Sequence, residues 1–376
     1  MARMHRRDFL AAVALGGLGV VAACAPDSSS RTTGTPASDP SAPGMPAPST
    51  GTATTVDPTR ITTVASGLNV PWAFAFLRDG SALVTQRDDA TVVRVVPGRP
   101  VTTVGDVADA APRGEGGLQG IALAPGDESA VYLYYTTDHD NRLIRMEFDG
   151  DRLTDPRPLL TGLDFASNHH GGALLFDSTG HLFVAVGDAA EPDVAQDVRS
   201  LNGKILRVDR DGRAAAGNPF GNEVWSYGHR NIEGLAFDSA NRLWATEFGQ
   251  NDQDELNLIR RGGNYGWPTV EGESDDPRFV APQATWSTSE ASPAGLAILG
   301  DRAYMAALRG RRLWEIPLAG ESAGRPADVL ADTFGRLRAV AVARDGALWL
   351  GTSNTDGRGR PVEGDDRILR VPLAAT

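Results

Sequence analysis

The sequence predicts an all-β fold, a six-bladed β-propeller of four-stranded antiparallel blades. Three observations predict it. One theme, an apolar strand, a polar turn and a second apolar strand, recurs six times along the chain. Successive copies begin about 45 to 60 residues apart, the length of one propeller blade. The copies are rich in β-branched and aromatic residues with alternating faces, and helical periodicity is hard to find between them. The main alternative is a seven-bladed ring with one degenerate copy.

The chain begins with an expected export signal, residues 1–24, "MARMHRRDFLAAVALGGLGVVAAC". It has a basic start, an apolar run too short for a comfortable membrane span, and small residues before a cysteine. Arg6 and Arg7, followed by Asp8, Phe9 and Leu10, resemble a twin-arginine signal. The "VAAC" that follows resembles a lipobox, so Cys24 is expected to carry a lipid anchor at the outer face of the cytoplasmic membrane. The sequence has 1 Cys, which excludes a disulfide within the chain and argues against thiol catalysis. Residues 25–57 are Ser, Thr, Pro, Ala and Gly with few large apolar side chains, and are expected to form a disordered tether. Residues 58–376 then form the propeller.

The copies follow in order. The first, "WAFAFLRDGSALVTQRDDATVVRV", starts at Trp72, and the second, "GLQGIALAPGDESAVYLYYTTDHDNRLIRMEF", at Gly117. "GGALLFDSTGHLFVAVGD" starts at Gly171 and closes with "LNGKILRV"; "IEGLAFDSANRLWATEFGQNDQDELNLI" starts at Ile232. "PAGLAILGDRAYMAALRGRRLWEI" starts at Pro293, and "LRAVAVARDGALWLGTSN" at Leu337 closes with "DDRILRV". The turns between paired strands often carry Asp-Gly, a tight-turn signal.

With 36 Lys+Arg against 48 Asp+Glu, the net charge of -12 argues against nucleic acid as a partner, because phosphate binding needs a basic face. The only lysine is Lys204, in a turn-like stretch, a poor basis for Schiff-base chemistry. No His-Glu-x-x-His zinc motif occurs. The glycines of "GEGGLQG" lack the strand–turn–helix surroundings of a dinucleotide loop.

Among 6 His, two are adjacent in "SNHHGGALLFDSTGHLFVAVGD". His169 precedes the first strand of its blade and Asp188 ends the next. A hairpin brings those two ends side by side, and a carboxylate beside an imidazole orients a general base. From spacing alone, a turn histidine and a turn aspartate are the more ordinary reading. "EFGQNDQDELNLIRRGGNYGWP" gathers carboxylates near Gly turns, hard oxygen ligands that suit Ca²⁺, or else an acidic surface loop. Arg336 and Arg338 in "GRLR" stand two apart, which suits a multiply anionic planar ligand or a pair of surface salt bridges.

Six motifs in order, "GEGGLQGIAL", "NHHGG…VGD", "YGHRN", "DELNLI…GGNYGWP", "SPAGLA" and "GRLR", resemble the soluble pyrroloquinoline-quinone (PQQ) glucose dehydrogenases and aldose sugar dehydrogenases, the glucose/sorbosone dehydrogenases. That family is a six-bladed propeller. The resemblance implies that His169 is the catalytic base and Asp188 its orienter. It implies a PQQ pocket containing Arg230, Asn231, Arg336 and Arg338, together with Glu115, Phe248 and Arg309. It implies Ca²⁺ as a second cofactor, with Glu255 and the backbone of Tyr265 at a structural ion and the carbonyl groups of Gly249 and Gln250 at the cofactor-linked one. Glu115 stands where the family commonly has Gln, Arg309 where it usually has Lys, and "EFGQ" where it has Glu-x-Gly-Pro. The implied reaction is oxidation of an aldose sugar at the anomeric carbon to its lactone, with electrons passed to an external acceptor. The alternative is a non-catalytic envelope propeller that binds a sugar, polymer or protein. A lactonase would need carboxylates converging on one axial metal, and the channel-facing positions do not supply them.

Overall fold

The computed structural model describes residues 54–375. The expected export signal, Cys24 and the tether up to residue 53 lie outside the described residues. The six repeats form six antiparallel sheets. The first blade comprises Pro71–Phe76, Ala82–Gln86, Thr91–Val95 and Thr102–Asp106, and the second Leu118–Ala124, Asp127–Thr136, Asn141–Phe148 and Leu153–Leu163. The third runs from Gly171–Phe176 through Leu182–Val186 and Lys204–Val208 to Val224–Tyr227, and the fourth from Ile232–Phe237 through Leu243–Glu247 and Gln253–Ile259 to Ala284–Ser287. In the fifth, Pro293–Leu299, Arg302–Ala307 and Arg312–Ala319 carry an outer edge split into Ser322–Ala323 and Ala327–Val329. Gly324 and Pro326 interrupt that edge, where proline has no N–H to give to a ladder.

The sixth blade joins both ends of the domain. Leu337–Val342, Leu348–Thr352 and Ile368–Val371 come from its C-terminal part, and Thr62–Ala65 pairs with Ile368–Val371 as the outermost strand. The folded body also begins earlier than the sequence suggests. Thr54–Val56, expected in the tether, pairs with Leu373–Ala375. Glu315 fixes that strand by accepting from the Val56 amide at 2.6 Å and the Thr55 hydroxyl at 2.9 Å. Three polar-flanked residues carry no period, and their partners are at the opposite end of the chain, so local pattern could not reveal the pairing.

The first strand of each blade packs against those of its neighbours, and all six surround a central channel of about 270 Å³ lined mainly by apolar side chains. Each sheet is sandwiched between two others. Its middle strands are therefore apolar on both faces, as in Leu182–Val186, where every residue is buried. Val131, Leu133 and Ile144 of the second blade, for example, pack with Leu83 and Val92 of the first. Each such side chain contributes about 1.5–3 kcal/mol by leaving water. The rigid ring presents at one mouth of the channel the loops that precede each first strand and follow each second strand.

Candidate functional site

A cavity of about 440 Å³ occupies that mouth. Its wall includes Glu115, His169, Arg230, Asn231, Phe248, Gly249, Gln250, Arg309, Arg336 and Arg338, contributed by loops distant in sequence. Glu233 lines both this cavity and the channel beneath it, and so marks its floor. Asp188 lies behind His169, and Glu255 and Tyr265 line a separate, smaller void beside Arg230, Phe248 and Gly249. The structure thus brings together ten of the residues singled out in the sequence and sets three just behind them.

His169 Nδ1 lies 2.7 Å from Asp188 Oδ1. The carboxylate is only an acceptor, so Nδ1 carries the hydrogen and Nε2 is left with a lone pair. Nε2 makes no hydrogen bond among the described residues, and the ring borders the cavity. Asp188 is itself fixed, its Oδ2 accepting from the Trp267 indole at 2.8 Å and its Oδ1 from the Ala190 amide at 2.9 Å. His169 has φ 60, a left-handed conformation uncommon for a side chain of this bulk. The surroundings impose it. The Ala189 amide holds the His169 carbonyl, and a Cβ at Gly187 would collide with that same carbonyl. Backbone strain of this kind persists where the fold over-determines a residue, and it fixes the ring's direction.

A second imidazole–carboxylate pair, His229 Nδ1 with Glu247 Oε2 at 2.9 Å, is closed off. His229 Nε2 meets Ser226 Oγ at 2.8 Å, and the ring stacks on Tyr265, so it has no free face. His170 is buried against Asn141 and Thr136 rather than in the cavity wall. Burial pulls its pKa down to about 4, which keeps it neutral.

The cavity is cationic. Arg338 pairs with Glu233 at 2.6 Å, Arg336 with Asp356 at 2.9 Å and Arg358 with Glu115 at 2.8 Å. Arg230 and Arg309 have no carboxylate partner among the described residues. Arg230 donates to the Phe248 carbonyl at 3.3 Å and lies over the Trp267 ring, but its buried Nε has no acceptor. An unpartnered guanidinium facing a cavity fits a multiply anionic ligand. The charge that Glu115 adds is neutralised locally. Burial raises its carboxyl, but the Arg358 bond, the Arg358 charge and the His169 amide outweigh it and leave the pKa below the ordinary value.

The Gly249–Gln253 loop is organised by a residue not singled out in the sequence. Glu271 Oε1 accepts from four consecutive amides, those of Gln250, Asn251, Asp252 and Gln253, at 2.7 to 3.2 Å. With the amides turned to Glu271, the carbonyl groups of Gly249 and Gln250 accept no hydrogen bond among the described residues, nor does that of Tyr265. Glu247, Glu255 and Glu271 border a void of about 10 Å³ beside these groups. Burial, and then the Glu247 charge, push the Glu255 carboxyl up. No three acidic or histidine groups among the described residues converge as a ready-made metal cage. A cation here would draw on carbonyl oxygens and a buried carboxylate that lacks a positive partner, a hard-oxygen set that fits Ca²⁺.

Arg358, Trp267 and Glu271 escaped the sequence reading. Arg358 lies in "DGRGRP", an aperiodic loop, and its partner is 243 positions away. Trp267 stood inside a motif already noted, and an indole N–H that must find an acceptor was the available signal.

A six-bladed ring with a carboxylate-oriented histidine above an arginine-lined cavity defines a channel-mouth propeller built for an anionic ligand and a proton acceptor. The chain belongs to the family described as Glucose / Sorbosone dehydrogenase, whose model matches residues 68–369. It is similar to the PQQ-bound aldose sugar dehydrogenase of Streptomyces coelicolor, with 46% identity, a TM-score of 0.82, and coverage of 87% of this chain and 100% of that one. The aldose sugar dehydrogenase of Escherichia coli is 28% identical over 330 residues, 77% of this chain and 89% of its own. The quinoprotein glucose dehydrogenase B of Acinetobacter calcoaceticus is 32% identical over 258 residues, 58% of this chain and 54% of its own.

Proposed function

We propose that this protein is a PQQ-dependent aldose dehydrogenase that oxidises a sugar at its anomeric carbon to the lactone and passes the electrons to an external acceptor. The observation that carries the reading is His169, tied through Nδ1 to Asp188, with Nε2 open to a cavity that holds an unpaired guanidinium. Arg230, Arg309, Arg336 and Arg338 would hold PQQ by its carboxylates, with Asn231 and Phe248 on the same wall. The carbonyl groups of Gly249 and Gln250, and Glu255 with the carbonyl of Tyr265, would hold Ca²⁺.

His169 Nε2 takes the proton of the anomeric hydroxyl, and Asp188 stabilises the imidazolium that results. PQQ, held by these arginines, would supply the two-electron oxidant for the anomeric hydride, and Ca²⁺ on the carbonyl groups of Gly249 and Gln250 would add Lewis-acid chemistry. At the floor Glu233 is paired with Arg338, while burial raises its carboxyl above the ordinary value despite that partner.

The names of the relatives support sugar and PQQ as ligands. The residues of 1–24 support export and anchoring through a lipid on Cys24. No helix among the described residues is long and apolar enough to cross a membrane. The test is a titration of the body with PQQ and Ca²⁺ in the presence of an aldose and an acceptor dye. Dye reduction that needs both additions is the expected result. Failure to bind PQQ at micromolar concentration would replace this reading with the non-catalytic one.

A further inference from the structure

A second cavity, of about 520 Å³, opens beside the first between the fifth and sixth blades. The two share the wall formed by Leu308, Arg309, Arg336 and Arg358. Beyond that wall stand Arg311, Arg360 and Arg367. Six arginines in all line the second cavity, against two carboxylates, Asp332 and Asp365. This inverts the balance of the chain, in which 48 Asp+Glu exceed 36 Lys+Arg.

Ion pairs account for only part of that charge. Arg311 meets Asp332 at 2.7 Å and Arg367 meets Asp365 at 2.8 Å. Arg336 and Arg358 are paired outside the cavity, with Asp356 and Glu115. Arg309 and Arg360 remain without a carboxylate among the described residues. One of these two borders both cavities, and the other is exposed on the outer side. A concave surface with uncompensated guanidinium groups concentrates small anions and offers them paired N–H donors. A monoanionic or dianionic group fits that arrangement better than a neutral sugar hydroxyl does.

We propose that this second cavity is an anion subsite joined to the first, taking the carboxylate or phosphate of a small molecule that acts there. The acid group belongs either to an acidic sugar substrate or to a small anionic electron acceptor. Its link to turnover rests on the dehydrogenase reading; the binding of an anion does not.

Inorganic phosphate is titrated calorimetrically into the protein at low salt, with and without PQQ and Ca²⁺. Saturable binding is expected in both states, weakened at least about fivefold in Arg360→Glu, the scale of one modest ion pair, and unmoved by Arg199→Glu. Arg199 is on the third blade and serves as a control for net charge. Equal weakening in both variants, or none, overturns the subsite. Loss of phosphate binding on loading PQQ also overturns it, because the cavity would then belong to the cofactor.

Two ratios of kcat/KM distinguish the sources. A drop in the glucuronate-to-glucose ratio in Arg360→Glu, with a neutral quinone as acceptor, assigns the acid group to the substrate. A drop in the ferricyanide-to-neutral-quinone ratio, with glucose, assigns it to the acceptor. If neither ratio moves while glucose is oxidised, the functional link falls. If no sugar is oxidised but phosphate binding still depends on Arg360, the dehydrogenase reading fails and the anion site stands.

Discussion

His169 is constrained from three directions: its φ of 60, its Nδ1 bond to Asp188, and the backbone packed against Gly187. Replacing it with alanine removes the proposed base, and we expect kcat to fall by about 10²–10⁴-fold with little change in PQQ affinity. Asp188→Asn offers His169 an amide that can present its N–H, so the ring takes the other tautomer; a loss of at least about 10²-fold is expected, read by steady-state kinetics. Glu115 gives a contrasting case. Its partner Arg358 has a side chain 61% exposed, so Glu115→Gln should cost under about 1 kcal/mol of stability. The same change frees Arg358 and removes a negative charge from the cavity. A tri-acid such as PQQ should then bind more tightly, which a fluorescence titration would detect, and unchanged or weaker binding would count against PQQ contacting this side of the cavity.

At the scale of elements, two loops hold the site. Lys204 is fully buried, and its Nζ donates to the carbonyl groups of Val194, Ala195 and Asn202 at 2.7 to 3.0 Å. Asn202 in turn donates to the Gly187 carbonyl at 3.0 Å, next to Asp188. Lys204→Met removes a donor shared by three carbonyl groups, of which those of Val194 and Ala195 keep the Asp197 and Gly228 amides, and should cost about 2–4 kcal/mol in urea unfolding. Burial also draws the Lys204 pKa down from 10.5 to about 7. Between those values the unfolded chain binds a proton that the folded chain does not. Stability contributed by this group therefore rises with pH across that window, and the rise should vanish in Lys204→Met. The other loop, Gly249–Gln253, depends on Glu271 and adjoins Glu255. Ca²⁺ should raise the melting temperature of the parent protein, and Glu255→Gln should abolish that rise.

The described residues form a ring closed by Thr62–Ala65, the outermost strand of the sixth blade. Removing residues 1–53 leaves Thr54–Val56 and Thr62–Ala65 in place, so folding and activity should persist. Removing residues 1–66 exposes Ile368–Val371 as an edge. A few kcal/mol lost in a domain of this size should lower the melting temperature by about 5–10 °C and promote aggregation, measured by circular dichroism and light scattering.

Legibility followed the range of the interaction. Blade count, strand pairs and the His169–Asp188 hairpin were readable because strand periodicity and turn chemistry act over about ten residues. Arg336 and Arg338 were readable as one face for the same reason. The Glu115–Arg358 pair, the Glu271 nest and the Thr54–Val56 strand were not, since each joins segments whose proximity is set by ring closure. Arg230 was marked by motif, yet its lack of a carboxylate partner is a property of the assembled wall.

The sequence by itself determined an all-β repeat, the residues capable of proton transfer, and the family. Tertiary structure alone decided which charges are paired and which are free, because an ion pair depends on distance in space while the sequence records only order along the chain. That distinction separates Arg338, neutralised by Glu233, from Arg230 and Arg309, which remain available to a ligand.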